Sequence, residues 1–253
     1  MRVAVVQVES VTNGVLEMVR PYLEQAAGQG AELVVLPEGV MHDFRPSVDL
    51  AAIAQPLDGP FVSGLSDLAS RWSVTIVAGM WERVEGDTRP ANTLVVVGSS
   101  GAVVTTYRKI HLFDSFGFRE SERVLPGEPT PVAFTVNGFT VGLATCYDLR
   151  FPELFRLMGG LDVIALPAGW IAGPNKLHHW QTLVTARAVE NTAYVVASGL
   201  CGVGFTGHSL VVDPMGERLV HLGDDPSWGV ADVDRIRLDE VRRINPALEH
   251  RRV

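Results

Sequence analysis

The sequence predicts an α/β domain in which two similar αβ layers pack face to face. Apolar β-rich runs alternate with helix-length segments along the whole chain, with no Gly/Ser-rich or Pro-rich linker between them. An internal echo suggests two related halves. GAELVVLPEG (30–39) aligns without a gap to GLDVIALPAG (160–169), and RVAVVQ (2–7) resembles TVGLAT (140–145). Each half then runs strand, helix and a strand ending in Leu-Pro, although a shared buried-strand composition would give the same echo. The chain has 253 residues, 47% of them hydrophobic, which suffices for one large core. Residues 1–253 are therefore read as a single domain.

The elements follow in order. Val3–Val8 is a β-branched apolar run of strand length, and Gly14–Gly28 carries helical spacing interrupted by Pro21. Glu32–Leu36 is a second strand, Pro60–Trp72 a helix opened by proline, and Val74–Trp81 a third strand. Asn92–Val97 and Ala102–Tyr107 flank a Gly98–Gly101 turn and read as a hairpin. Val132–Val136 and Phe139–Thr145 form another around Asn137-Gly138. The segment between the hairpins, Phe113–Thr130, reads as a loop. Helix resumes at Pro152, strand at Val163–Leu166, and a long helix spans Lys176–Glu190. Tyr194–Ser198, Ser209–Val212, Arg218–His221 and Val230–Val233 complete the strands before a last helix, Arg235–Ile244.

Composition narrows the function. A net charge of −8 argues against a nucleic-acid or anionic-membrane surface. The basic stretch RRINPALEHRR (242–252) is broken by Pro246 and reads as a solvated end. MRVAVVQVES lacks a charged region with a cleavage site, and no apolar run approaches the ~18 residues of a spanning helix. Two cysteines 55 positions apart form no C-x-x-C, so a reduced, cytoplasmic setting is expected.

Among 21 basic residues only two are lysines, Lys109 and Lys176. Where arginine supplies generic positive charge, a retained lysine points to a need for its compact ammonium. Lys109 lies in YRKIHLFD (107–114), Cys146 in TCYDLRFPE (145–153), and Glu38 ends LVVLPE (33–38). Three strand ends thus carry a carboxylate, an ammonium and a thiol, a set capable of acyl chemistry. A strand-to-helix turn at Cys146 favours a thiolate through nearby backbone N–H groups. Each residue also has a plain reading: a turn cap for Glu38, a surface chain for Lys109, a small core residue for Cys146.

Other signals are weaker. GVGFTG (202–207) fits G-x-G-x-x-G but leads into strand rather than helix, so its glycines are read as tight turns near a pocket. His178-His179 lacks a third clustered ligand, and no metal is expected. His111 lies two residues beyond Lys109, so a strand would put both on one side; structural hydrogen bonding is the favoured role. Cys201 reads as a small loop or core residue, and Asp148 and Glu153 as partners of local backbone or arginine groups. Trp170 either lines a pocket or packs in the core. Arg150 either grips a substrate carboxylate or pairs with Asp148, Glu153 or another acidic residue. Phe113, Phe116 and Phe118 either wall a pocket or anchor their loop.

LVVLPEG, YRKIHLFD and TCYDLRFPEL resemble, in that order, the three motif blocks of the nitrilase (carbon–nitrogen hydrolase) superfamily, and the likeness extends to ARAVEN (186–191) and GHSLVVDPMGE (207–217). The sequence is most similar to the ω-amidase and deaminated glutathione amidase branches. The resemblance implies a four-layer α-β-β-α sandwich dimerising to αββα–αββα, with no metal or organic cofactor. It implies Glu38 as general base, Lys109 as oxyanion-stabilising ammonium and Cys146 as nucleophile. Glu120, in FRES (118–121), matches a second family glutamate that orients the lysine. The Tyr147 backbone N–H is the second expected oxyanion donor. The expected activity is hydrolysis of a small linear amide to acid and ammonia through a thioester. An N-carbamoyl amine or a nitrile could use the same triad, and a silent scaffold on this fold is the alternative from another class. The expected partners are a small-molecule substrate and a second copy of the chain, with neither nucleic acid nor membrane.

Overall fold

The computed structural model describes residues 1–252. The first half contains β1 (Arg2–Glu9), α1 (Val15–Gly28), β2 (Leu33–Val35), α2 (Leu50–Ile53), α3 (Pro60–Trp72), β3 (Thr75–Glu82), β4 (Ala91–Val97) and β5 (Val103–Arg108). A small ribbon follows, β6 (Asp114–Ser115) with β7 (Phe118–Arg119), and then the hairpin β8 (Val132–Val136) and β9 (Phe139–Leu143). The rest comprises α4 (Pro152–Met158), β10 (Val163–Ala168), α5 (Lys176–Asn191), β11 (Tyr194–Cys201), β12 (Leu210–Val212), β13 (Arg218–His221), β14 (Ser227–Asp232) and α6 (Arg235–Ile244).

β1 is the seam of the β structure. Val3–Val5 run parallel to Leu33–Val35 of β2, and Arg2–Gln7 pair antiparallel with β14. At its end Val8 and Glu9 pass to Leu200 and Cys201 of β11. One half of the sheet is thus ordered β5-β4-β3-β2-β1-β14, and the other β8-β9-β10-β11-β12-β13.

Side-chain alternation turns these halves into layers. Val3 and Val5 face one side of β1 and Ala4, Val6 and Val8 the other, and all five are wholly buried. The first set joins Leu33, Val35, Val77 and Leu94 against Val141, Val163 and Val196 from the opposite half, which makes the core between the sheets. The second set packs with Val19 and Leu23 of α1 and Leu65 of α3. On the far side Ile164, Leu166 and Val195 pack on Phe155 of α4 and Trp180 and Val184 of α5. Three cores separate four layers, helix, sheet, sheet, helix, as the resemblance implied. Strands buried on both faces explain why these runs read as continuously apolar. Among the described residues no helix is long and apolar enough to cross a membrane.

Two local expectations need correction, and one short helix has no counterpart in the sequence reading. α1 is not interrupted at Pro21. The missing N–H falls on the solvent face, opposite the buried Val15, Val19, Leu23 and Ala26, and the Gln25 amide donates to the Pro21 carbonyl at 3.0 Å. The short helix α2 carries no apolar period to reveal it; it is started by Asp49, whose carboxylate accepts from the N–H groups of Ala51 and Ala52. The segment 113–130 is not plain loop, because it holds the β6–β7 ribbon and a 3₁₀ turn, Glu120–Glu122.

α6 is fastened to β10 by one buried carboxylate. Asp162 accepts from Arg235 at 2.6 and 2.8 Å, from Arg242 at 3.1 Å and from the Thr140 N–H at 2.9 Å. Burial alone would raise its pKa, but Arg235, the Thr140 N–H and Arg242 outweigh burial and hold it below the usual carboxylate range. A depressed folded pKa gives stability that is complete above the unfolded value, near ~4, and is lost as pH falls through the folded value. Arg235 is 40% exposed, so solvent screening reduces the effect. Asp162→Asn should cost about 2 kcal/mol at neutral pH, a fall in Tm of roughly 4–8 °C for a chain of this size. Thermal melts should show the gap to the parent protein narrowing as the pH drops below ~4.

Candidate active site

Glu38, Lys109, Glu120 and Cys146 converge on one cavity of about 350 Å³. Lys109 directly follows β5, and Cys146 lies just past β9. Glu38 ends an extension of β2 that docks along β3, with the Leu36 N–H on the Val77 carbonyl at 2.8 Å and the Gly79 N–H on the Pro37 carbonyl at 3.1 Å. Gly79 is required for that approach, since a Cβ there would lie 2.2 Å from the Gly39 nitrogen. Glu120 opens the 3₁₀ turn after the ribbon.

Lys109 and Glu38 are each 2% exposed, and Glu120 7%, so water does not screen their charges. The ammonium donates to Glu38 Oε1 and Glu120 Oε2, both at 2.9 Å. Asn92, at the start of β4, bridges the same carboxylates with its amide, 2.8 Å to Glu38 and 3.1 Å to Glu120. Glu38 Oε2 accepts from the Gly169 N–H at 2.6 Å, and Glu120 Oε2 from the Phe113 N–H at 2.6 Å. Each carboxylate is held by side chains and backbone from several elements, which fixes its position.

Cys146 begins a 3₁₀ helix, Cys146–Arg150, with φ of 48°, in the left-handed region that non-glycine residues rarely adopt. The turn is held on both flanks. The Thr145 hydroxyl donates to the Pro167 carbonyl at 2.9 Å, and the Thr145 N–H donates to Asp148. Asp148 is fully buried and also accepts from the Tyr107 hydroxyl and from the backbone and Nδ1 of His111. The His111 ring stacks on Phe151 at 3.8 Å, so its role is structural as expected. Lys109 and His111 do not share a strand face, because β5 stops at Arg108.

Burial and the neighbouring charges shift all three groups. Burial would raise the pKa of Glu38, but the Lys109 charge and N–H donors from Lys109, Gly169 and Asn92 bring it below the ordinary value. Lys109 is pushed well above its ordinary value, because Glu120 and Glu38 overcome the burial that opposes them. The Cys146 thiol is also pushed well up, first by burial and then by the Glu38 charge and hydrogen bond; Lys109 acts the other way and loses. Burial and Glu38 thus work against the thiolate that the turn's backbone donors favour. A carboxylate faces a neutral thiol beside an ammonium.

Phe44, Trp81, Phe113 and Phe205 supply aromatic walls. Trp170 fulfils both of its readings: it lines the cavity, lies 5.4 Å from the Trp180 ring and donates from Nε1 to the Lys176 carbonyl at 2.9 Å. Arg150 also faces the cavity, and among the described residues neither Asp148 nor Glu153 pairs with it. Its Nη2 lies 3.4 Å from His179 Nδ1, its guanidinium 5.0 Å from the Trp170 ring, and its buried Nε has no partner. Val203, Gly204 and Phe205 line the mouth, where Gly202 and Gly204 take φ of 81° and 89°, so the glycine-rich run is a turn as expected. Cys201 lies in β11, its thiol pushed up to about 12 by burial. Among the described residues no group of His, Cys, Asp and Glu side chains is arranged to hold a metal ion. Sequence reading missed Asn92, Phe44 and Phe205. The one available signal was Asn92 itself, a polar residue entering a strand buried on both faces, where its amide must find partners.

Residues 2–243 match the family model described as carbon–nitrogen hydrolase. A hydrolase of Mycobacterium tuberculosis is 41% identical over 254 residues, covering 92% of this chain and 89% of that protein. The deaminated glutathione amidase of Escherichia coli O157:H7 is 37% identical over 239 residues, covering 93% and 90%. The structure superposes with a TM-score of 0.91, at 28% identity, on a CN-hydrolase superfamily protein from Xanthomonas campestris that bears an arsenic adduct in its active site. That match covers 100% of this chain and 97% of the other.

The two cysteines should respond differently to a small electrophile. Cys146 opens on the cavity beside Glu38, whereas Cys201 is 1% exposed inside a strand. Iodoacetamide should modify about one thiol per folded chain, at Cys146, with Cys201 reacting only after denaturation. Peptide mass spectrometry reads the outcome, and comparable modification of both in the folded protein would contradict the site geometry.

Proposed function

The chain belongs to the carbon–nitrogen hydrolase family, and from that premise we propose that it is a cysteine-dependent amidohydrolase cleaving a small linear, carboxylate-bearing amide to acid and ammonia. The observation that carries this reading is the convergence of the Cys146 thiol, the Glu38 carboxylate and the Lys109 ammonium on one cavity, with Lys109 donating to Glu38 at 2.9 Å. Sγ attacks the amide carbon as Glu38 takes the thiol proton. The carbonyl oxygen becomes an oxyanion. Lys109 has three N–H donors and spends two on carboxylates, which leaves one for that oxygen. The Tyr147 backbone N–H, in the first turn of the 3₁₀ helix, is the second donor. Collapse breaks the C–N bond as Glu38 returns its proton to the departing amine, giving ammonia and a thioester. Water, deprotonated by Glu38, then attacks the thioester, and the thiolate leaves and regains the proton. Glu120 positions Lys109 rather than reacting.

The E. coli relative's name supports an amide as the bond class. Arg150, free of a carboxylate partner among the described residues, supports an acidic group on the acyl chain, and Trp170 forms the floor beneath it. We read residues 1–253 as one catalytic domain that works in the cytoplasm as a homodimer and needs no cofactor. Val189 and Met215, exposed on the α5 side, offer apolar surface to a second copy.

Ammonia release across amides, N-carbamoyl amines and nitriles tests the reading. Amides should be turned over, and Cys146→Ala should abolish turnover because the covalent path ends with the sulfur. Full activity in Cys146→Ala would sink the mechanism. Lys109→Arg should fold yet lose about 10²–10³-fold in kcat, since a guanidinium cannot take the ammonium's place between the carboxylates. Near-parental kcat in that variant would mean that charge alone matters.

A further inference from the structure

The chain keeps two lysines, and both face the same cavity. Lys109 is neutralised by two carboxylates. Lys176 is not. It is the first residue of α5 and is 8% exposed, and among the described residues it makes no ion pair. Its ammonium lies over rings instead, 4.1 Å from Phe116, 5.0 Å from Phe113 and 5.6 Å from Trp170. Arg150 stands 5.0 Å from the same Trp170 ring with its Nε buried and unpartnered. Two cations therefore share one aromatic-walled chamber with the reactive thiol, and the described residues place no anion between them.

Aromatic faces attract a cation but do not neutralise it, and two buried like charges disfavour each other. Burial and then the Arg150 charge lower the pKa of Lys176. A purely structural residue here, bridging α5 to the ribbon, would be better served by an apolar chain, which would carry no desolvation cost. What relieves the arrangement is an anion brought by a ligand. A carboxylate matches the pair, since a planar guanidinium binds it in a forked geometry and an ammonium adds a point charge. We propose that Lys176 is a specificity-determining residue that, with Arg150, holds one carboxylate of the substrate's acyl chain over the Trp170 ring. The proposal rests on the amidohydrolase reading above.

The charge of Lys176 also makes the selection pH-dependent. The charged or titratable groups around it are Arg150 and Cys146 from the 3₁₀ turn and His178 and His179 from its own helix, while the ribbon presents Phe113 and Phe116. With its pKa lowered, Lys176 loses its proton below the ordinary lysine range. KM for an acidic amide should therefore climb on the alkaline side, while KM for a neutral amide should not follow it.

The test uses glutaramate, the monoamide of a five-carbon diacid, against pentanamide, a neutral amide of the same length, with kcat and KM measured separately. Wild type should favour glutaramate, and Lys176→Met should raise the ratio of the two KM values about tenfold, the scale of one charge-assisted contact. Arg150→Met should move the same ratio in the same direction. Lys176→Arg retains a cation and should recover most of the ratio while removing the alkaline rise in KM, which also separates lost charge from lost folding. An unchanged ratio in Lys176→Met, or equal losses on both amides, overturns the role of Lys176 and leaves amide hydrolysis standing. So does a wild type that does not distinguish the two amides. Turnover of nitriles or carbamoyl amines alone, with both amides inert, overturns the underlying amidase reading instead.

Discussion

A single ammonium, Lys109, buried between Glu38 and Glu120 organises the catalytic end of the molecule. An isolated charge at such depth costs several kcal/mol even after relaxation, so its partners cannot be loosely placed. That requirement draws together residues 38, 92, 109 and 120 from a strand extension, a strand start, a strand end and a folded-over ribbon. It explains why Gly79 has no side chain where the Glu38 segment crosses β3, and why 113–130 is ordered rather than slack. The group of charges that serves the chemistry also bears on the fold. Deleting one partner leaves an uncompensated charge, so loss of activity and loss of stability must be measured apart.

The same cluster sets the state of the nucleophile. A thiolate there would face the Glu38 anion in a buried site, and burial and that charge both favour the protonated sulfur. In the proposed mechanism, activation therefore waits until a substrate supplies the carbonyl that receives the electron pair. The left-handed backbone at Cys146 belongs to this design. It turns the thiol out of β9 towards Glu38, while Asp148 and Thr145 tie down the flanks of the turn. A neutral thiol also reacts more slowly with oxidants and stray electrophiles than a thiolate would.

Much of this was legible in the sequence, for a physical reason. Glu38, Lys109 and Cys146 each close a run of apolar residues, and a charged or reactive group placed where a buried strand stops is conspicuous. Two packed αβ layers followed from the echoed strand–helix–strand halves, and the four-layer order from the family resemblance. What escaped was non-local. Asn92 belongs to a strand and becomes meaningful only once Glu38 and Glu120 stand on either side of it. Phe44 and Phe205 come from turns on opposite halves, and nothing nearby marks them as one wall. Pro21 misled because helix α1 is held by its packed stripe rather than by every backbone bond. The upward pull on the Cys146 thiol is non-local too, since backbone donors at the turn favour an anion and burial beside a carboxylate works against it.

The scarcity of lysine has a practical consequence. An endoprotease specific for lysyl bonds would find just two targets in the chain, after Lys109 and Lys176, whose side chains are 2% and 8% exposed. Neither bond can enter a protease cleft while the cavity wall is intact, because the enclosing segment must first be released into an extended form. The fragments 1–109, 110–176 and 177–253 therefore mark molecules whose catalytic end has opened. Their rate of appearance would follow that opening alone, undisturbed by cutting at exposed loops elsewhere. In this chain the two lysines that line the cavity also serve as built-in reporters of local unfolding.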